Sequence, residues 1–149
     1  MKIAIGCDPN AESMKIELIE EIKSLGHEVT DFGSEDVIYA NVIIEVAEAV
    51  SNNLFDGGVV LCGTGIGASI SANKVPGAYC GLVTDTYQAE RAALSNNVNM
   101  IALGEQVTGI VTARLMVKTW LANHGKFDKE GRSFPKIKRI YDYAGKHDK

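Results

Sequence analysis

Leu61-Cys62-Gly63-Thr64-Gly65-Ile66-Gly67-Ala68-Ser69 is the stretch on which the reading of this chain turns. The apolar run Val59-Val60-Leu61 before it reads as a buried strand. Three glycines then turn the chain into a helical pattern carried by Ile66, Ile70, Asn73 and Lys74. Glycine at such a turn permits positive φ and close approach of backbone to a ligand. It also aims several N–H groups at one point beside a helix N-terminus, a place that favours negative charge. Cys62 sits at the carboxyl end of the strand, facing that pocket, where a thiol is expected to have a lowered pKa and to serve as base or nucleophile. The competing reading of Cys62 is a small buried residue that ends a strand.

Outward from this turn, strands and helices alternate. Lys2 to Cys7 reads as a first strand, stopped by the turn Asp8-Pro9-Asn10. Met14, Leu18, Ile22 and Leu25 recur at helical spacing, and Gly26 ends that helix. His27 to Phe32 is a second strand, and Val42, Val46 and Val50 mark a second helix. After the third strand, Ala68 to Lys74 lies in the third helix. Tyr79 to Val83 is a fourth strand, and Thr86 to Leu94 a fourth helix with Thr86 as its N-cap candidate. Met100 to Leu103 is a fifth strand, followed by a long helix on Ile110, Ala113, Val117 and Leu121. This order predicts a Rossmann-like, three-layer α/β/α domain around a five-stranded parallel sheet, with ligands bound outside the carboxyl ends of the strands. Asp8, Cys62, Thr84-Asp85 and Gly104 fall at those ends.

The 149 residues make a single domain, with residues 1–123 as the α/β core and 124–149 as a charged tail. A tail helix from about Pro135 would project and pack on a partner subunit, or simply end the chain as a solvated basic segment. A net charge of −4 argues against a nucleic-acid surface. No apolar run approaches membrane-spanning length, and the first residues lack the pattern of a signal peptide. Three cysteines without metal-like spacing suit a reduced, cytoplasmic protein. Cys7 and Cys80 lie in apolar strand patterns and read as packing residues, Trp120 and the methionines as core or interface, and His27, His124 and His147 as surface residues.

Taken together, Ile5-Gly6-Cys7-Asp8, Asp31-Phe32-Gly33, Val46-Ala47-Glu48-Ala49-Val50, Cys62-Gly63-Thr64-Gly65-Ile66-Gly67, Ala72-Asn73-Lys74-Val75-Pro76-Gly77 and Asn99-Met100-Ile101-Ala102-Leu103-Gly104-Glu105 resemble the ribose-5-phosphate isomerase B / galactose-6-phosphate isomerase family. The likeness runs from Lys2 to about Leu121. It implies an aldose–ketose isomerase of a sugar phosphate, working through a cis-enediolate with no metal and no cofactor. It implies a homodimer or dimer of dimers with active sites at the subunit interface, and no nucleic-acid or membrane partner. In the family's pattern Cys62 is the base that moves the proton, and Thr64 assists at the sugar oxygens. Backbone N–H groups of Gly63, Gly65, Ile66, Gly67 and Ala68, with Asn73, would hold the enediolate oxygen. Asp8 and Tyr39 would hold sugar hydroxyls.

The chain also departs from that pattern. Pro9 stands where a histidine usually follows Asp8, and Gln106 where an arginine follows Leu-Gly-Glu. The ring-opening histidine of a His-Asn-x-x-Asn motif becomes Ser95, followed by Asn96, and serine is a poor general acid at neutral pH. In the tail, Arg132 survives and Lys136 stands in for a second phosphate-binding arginine. Ribose 5-phosphate is the substrate the resemblance most often implies. A galactose 6-phosphate isomerase subunit and a tetrose-phosphate isomerase are alternatives, the latter because a tetrose 4-phosphate cannot close a five-membered ring and needs no ring opener. A non-catalytic sugar-phosphate-binding subunit is a reading of another class. A cysteine phosphatase is disfavoured because Cys62 to Asn73 contains no arginine.

Overall fold

A computed structural model describes residues 1–147; the side chains of 146 and 147 lie outside that description, and with them the reading of His147 as a surface residue. Five strands, β1 (Lys2–Cys7), β2 (Glu28–Asp31), β3 (Gly57–Cys62), β4 (Cys80–Leu82) and β5 (Met100–Gly104), form one parallel sheet in the order β2-β1-β3-β5-β4. The helices between and after them are α1 (Glu12–Ser24), α2 (Tyr39–Ser51), α3 (Ile66–Ala72), α4 (Thr86–Leu94), α5 (Ile110–Asn123) and α6 (Phe134–His147). The expected Rossmann-like architecture is therefore present, element for element.

The two-residue period of each strand sorts the core into two layers. Ile3, Ile5, Val59, Leu61, Ile101 and Leu103 pack with Leu18 and Ile22 of α1 and Met116 and Trp120 of α5 on one face. Ala4, Val60, Cys62, Met100 and Ala102 pack with Val42 and Val46 of α2 and Ala68 and Ala72 of α3 on the other. Trp120 is fully buried, so of the alternatives of core and interface it takes the first. Gly26 at φ +84 closes α1, with Leu25, Gly26 and His27 N–H groups donating to the last carbonyls of that helix.

One local expectation is corrected. The cap of α4 is Asp85, whose carboxylate accepts from Gln88 N–H at 2.7 Å; Thr86 is the first helical residue. In α3 it is Ala68, Ser71 and Ala72 that face inward, while Ile66 and Ile70 are 54% and 57% exposed. The tail helix is anchored on its own chain: Ile137 is buried, and Tyr141 stacks edge-on against Tyr79 and accepts a 2.8 Å bond from Asn97 Nδ2.

Cys7 and Cys80 are the packing residues expected, and burial pushes both thiols up from 9.0 to about 12. The folded chain keeps protons there that the unfolded chain releases, so the stability this contributes is full below pH 9.0 and falls as pH rises toward about 12. The urea midpoint is expected to drop between about pH 8 and pH 10.5, and to drop less in a Cys7→Ala/Cys80→Ala variant. Equal drops in the two proteins would contradict this origin.

Candidate active site

The reversal of strand order falls between β1 and β3: the chain leaves β1 through α1 on one face, and β3 through α3 on the other. Such a switch point opens a crevice outside the carboxyl ends of the strands. Cys62 is the last residue of β3, is 4% exposed and points to the α2/α3 face. Gly65, left-handed at φ +78, caps α3 and donates its N–H to Cys62 Sγ at 3.1 Å. No side chain fits at that turn, since a Cβ on Gly65 would lie 2.7 Å from Leu82 Cδ1 and 2.8 Å from the Leu103 carbonyl carbon. Thr64 Oγ1 accepts from Ile66 N–H at 3.3 Å. The first intrahelical donor of α3 is Ser69 N–H to Gly65 O at 3.0 Å, which leaves the Gly67 and Ala68 N–H groups outside the helical ladder.

The turn is bound to the end of β5. Glu105 N–H donates to Cys62 O at 3.1 Å and Gln106 N–H to Gly63 O at 2.9 Å. Thr64 crosses so close to Gly104 that a Cβ there would sit 2.4–2.7 Å from its main-chain atoms.

Asp8 follows Cys7, which pairs with Leu61 across the ladder, so Asp8 and Cys62 end neighbouring strands. Its buried carboxylate accepts from Asn10 twice, Oδ1 from the main-chain N–H and Oδ2 from Nδ2, both at 3.1 Å. Pro9, with no N–H to satisfy, opens the 3-10 turn (Pro9–Ala11) that this bonding caps. Tyr39, at the start of α2 and 38% exposed, lies on Gly67: a Cβ on that glycine would fall 2.4–2.7 Å from its ring atoms and hydroxyl. Asp8, Tyr39, Cys62, Thr64 and the glycine turn thus meet at one edge of the sheet.

Other predicted residues are placed elsewhere. Asn73 caps the end of α3, and its amide is engaged at both ends with Cys80, Nδ2 donating to O at 2.8 Å and Oδ1 accepting from N–H at 2.9 Å. It pins α3 to β4. Ser95 ends α4, at the amino edge of the sheet, where Arg91 Nη1 reaches its Oγ at 3.4 Å; exposed Asn96 follows. Arg132 and Lys136 are exposed at the start of α6, which docks on Tyr79 and Asn97 at that same amino edge. Ser95 and Asn96 thus lie at the opposite end of the strands from Asp8, Tyr39 and Cys62. Gln106, noted in the sequence only as a missing arginine, has its side chain against Gly63, with Oε1 3.1 Å from where a Cβ would be. Asn10 was also missed; its spacing of two from an aspartate is the available signal. Among the described residues, no group of three or more His, Cys, Asp or Glu side chains could hold a metal ion. Within them no helix is long and apolar enough to cross a membrane.

A model of the Ribose/Galactose Isomerase family matches residues 3–140. A ribose-5-P isomerase B of Listeria innocua is 44% identical over 124 residues, covering 81% of this chain and 84% of its own. A D-erythrulose-4-phosphate isomerase of Pectobacterium atrosepticum is 38% identical over 153 residues, 99% of each chain. The solved ribose-5-phosphate isomerase B of Clostridium thermocellum superimposes with a TM-score of 0.90 at 38% identity, over 99% of both chains. With this fold and this turn, the chain belongs to the Ribose/Galactose Isomerase family. It is a sugar-phosphate isomerase, as the resemblance of its motifs led one to expect.

Gly67→Ala should push the half-exposed Tyr39 ring off the turn. Steady-state kinetics are expected to show kcat/KM lower by about tenfold, with a stability loss of only about 1 kcal/mol because the ring can swing into solvent. Unchanged kinetics would remove Tyr39 from the site.

Proposed function

We propose that the chain interconverts an aldose phosphate and its ketose by proton transfer at Cys62. The observation that carries the proposal is the sulfur itself, at the carboxyl end of β3 where the strand order reverses, with the Gly65 N–H on it, Asp8 at the end of the neighbouring strand and Tyr39 on Gly67 of the same turn. The thiolate takes the proton from C2 of the aldose, and the C–H electron pair becomes the C1=C2 bond of a cis-enediolate. Its oxygens meet the amides of the turn, which hold the charge, and Thr64 Oγ1 relays the proton between O1 and O2. Cys62 then returns its proton to C1, giving the ketose. No electron leaves the substrate, so the chemistry calls for no redox cofactor, and the thiolate with the turn amides does the work proposed here without a metal. Asp8 and Tyr39 hold hydroxyls. Arg132 and Lys136 serve as the phosphate clamp from a second copy of the chain in a homodimer.

Ser95, where the family pattern has a ring-opening histidine, favours a substrate that arrives open-chain. A tetrose 4-phosphate meets that condition, and the Pectobacterium relative that spans 99% of this chain is named for such a substrate. Ribose 5-phosphate is the second reading, supported by the Listeria and Clostridium relatives.

The test is solvent-deuterium exchange into tetrose, pentose and hexose phosphates, followed by NMR. Exchange at the carbon next to the carbonyl is expected, fastest with a tetrose phosphate and indifferent to EDTA. It should fall by about 10³-fold in Cys62→Ala. Exchange that survives Cys62→Ala would overturn the mechanism, and no exchange with any sugar phosphate would favour a non-catalytic binding subunit.

A further inference from the structure

Asp8 and Asn10, on the loop that leaves β1 beside the strand of Cys62, are joined by two hydrogen bonds. Asp8 Oδ1 accepts the Asn10 main-chain N–H and Oδ2 accepts from Asn10 Nδ2, each at 3.1 Å. Capping of the 3-10 turn accounts for the first bond alone, and any residue with an N–H at position 10 would supply it. The second bond needs a side-chain donor. Asp8 is buried, and among the described residues its carboxylate enters no salt bridge. A buried charge without a counter-ion is costly unless hydrogen bonds surround it, and here both come from Asn10. Asn10 itself is exposed. One Nδ2 hydrogen is used on Asp8; the other, with Oδ1, meets no partner among the described residues.

We infer that Asn10 is a further substrate-binding residue, which with Asp8 reads the hydroxyl next to the reacting carbons. The inference rests on the isomerase reading. In the proposed reaction the turn amides and Thr64 take O1 and O2, so the next hydroxyl along an aldose phosphate is O3. In a tetrose 4-phosphate it is the last one left. A hydroxyl is donor and acceptor at once. O3 donates to the Asp8 carboxylate and accepts the second Nδ2 hydrogen of Asn10, a pair of bonds that neither residue can offer alone. A methylene at C3 would leave the carboxylate and the amide facing it unpaired, which is how a site built to bond a hydroxyl rejects the analogue without one. Pro9 serves the arrangement, since its fixed φ opens the turn that brings Asn10 back onto Asp8.

Erythronate 4-phosphate, the acid of a tetrose phosphate, cannot isomerise and tests the assignment by amide NMR titration of the whole chain, with its 3-deoxy counterpart as the control. The wild-type chain should bind the hydroxylated compound about tenfold or more tightly than the 3-deoxy one. Asn10→Ala deletes the side-chain amide and keeps the main-chain N–H that caps the turn. In that variant the dissociation constant should rise about tenfold for erythronate 4-phosphate and less than about twofold for the 3-deoxy compound. An asparagine that only shaped the loop would weaken both ligands alike. The inference is overturned by equal losses for the two compounds, by no loss for either, or by a wild-type chain without the preference. Absence of deuterium exchange into sugar phosphates would count against the isomerase reading and leave these binding ratios standing.

Discussion

The two main-chain bonds between the turn after β3 and the end of β5 are the constraint on which the rest depends. A cysteine at the end of a buried strand is ordinary; what distinguishes Cys62 is that the backbone around it cannot move away. Its carbonyl is held by Glu105, that of Gly63 by Gln106, and Thr64 lies on the bare Cα of Gly104. Each bond contributes only about 1 kcal/mol net. Their effect is geometric: they bring the Gly65 N–H onto the sulfur and hold the start of α3 open beside it. The glycines follow from this closeness, because a single added carbon at 65 or 104 would occupy space already filled by Leu82, Leu103 or Thr64.

A second consequence follows from strand direction. In a parallel sheet every βα turn lies at one edge and every αβ turn at the other. Asp8, Tyr39 and Cys62 come from the first kind of connection, Ser95 and Asn96 from the second, and the tail with Arg132 leaves from the second edge as well. The proposed homodimer would bring the amino edge of a second chain to the carboxyl edge of the first. The exposed Ile66 and Ile70 leave apolar surface on α3, the helix that follows the turn after Cys62.

Most of the fold was legible because strand and helix periods differ, and because Gly26 and the glycine run punctuate them strongly. What escaped was decided by contacts between segments. Asp85 and Thr86 are both good caps, and only the reach of the carboxylate to Gln88 separates them. Ile66 and Ile70 have helical spacing, but in a seven-residue helix the small side chains Ala68 and Ala72 fit against the sheet and the large ones turn out. Cys62 and the glycine turn are legible because the turn is local, whereas Tyr39 and the role of Thr64 come from the family resemblance; in the fold Tyr39 heads the helix that lies on the turn. The resemblance implies Asn73 at the enediolate; its partners in the fold, the main-chain atoms of Cys80, lie across a loop that spacing does not reveal.

Subunit complementation tests the central claim, a catalytic sulfur served by a neighbouring copy, most directly. Cys62→Ala and Arg132→Ala/Lys136→Ala proteins, each inactive or nearly so alone, are mixed, dissociated and reassembled, with hybrids counted by native mass spectrometry. Half the dimers should be hybrids with one intact site in two, returning about a quarter of wild-type activity. Hybrids that form in that proportion and regain nothing would contradict the account.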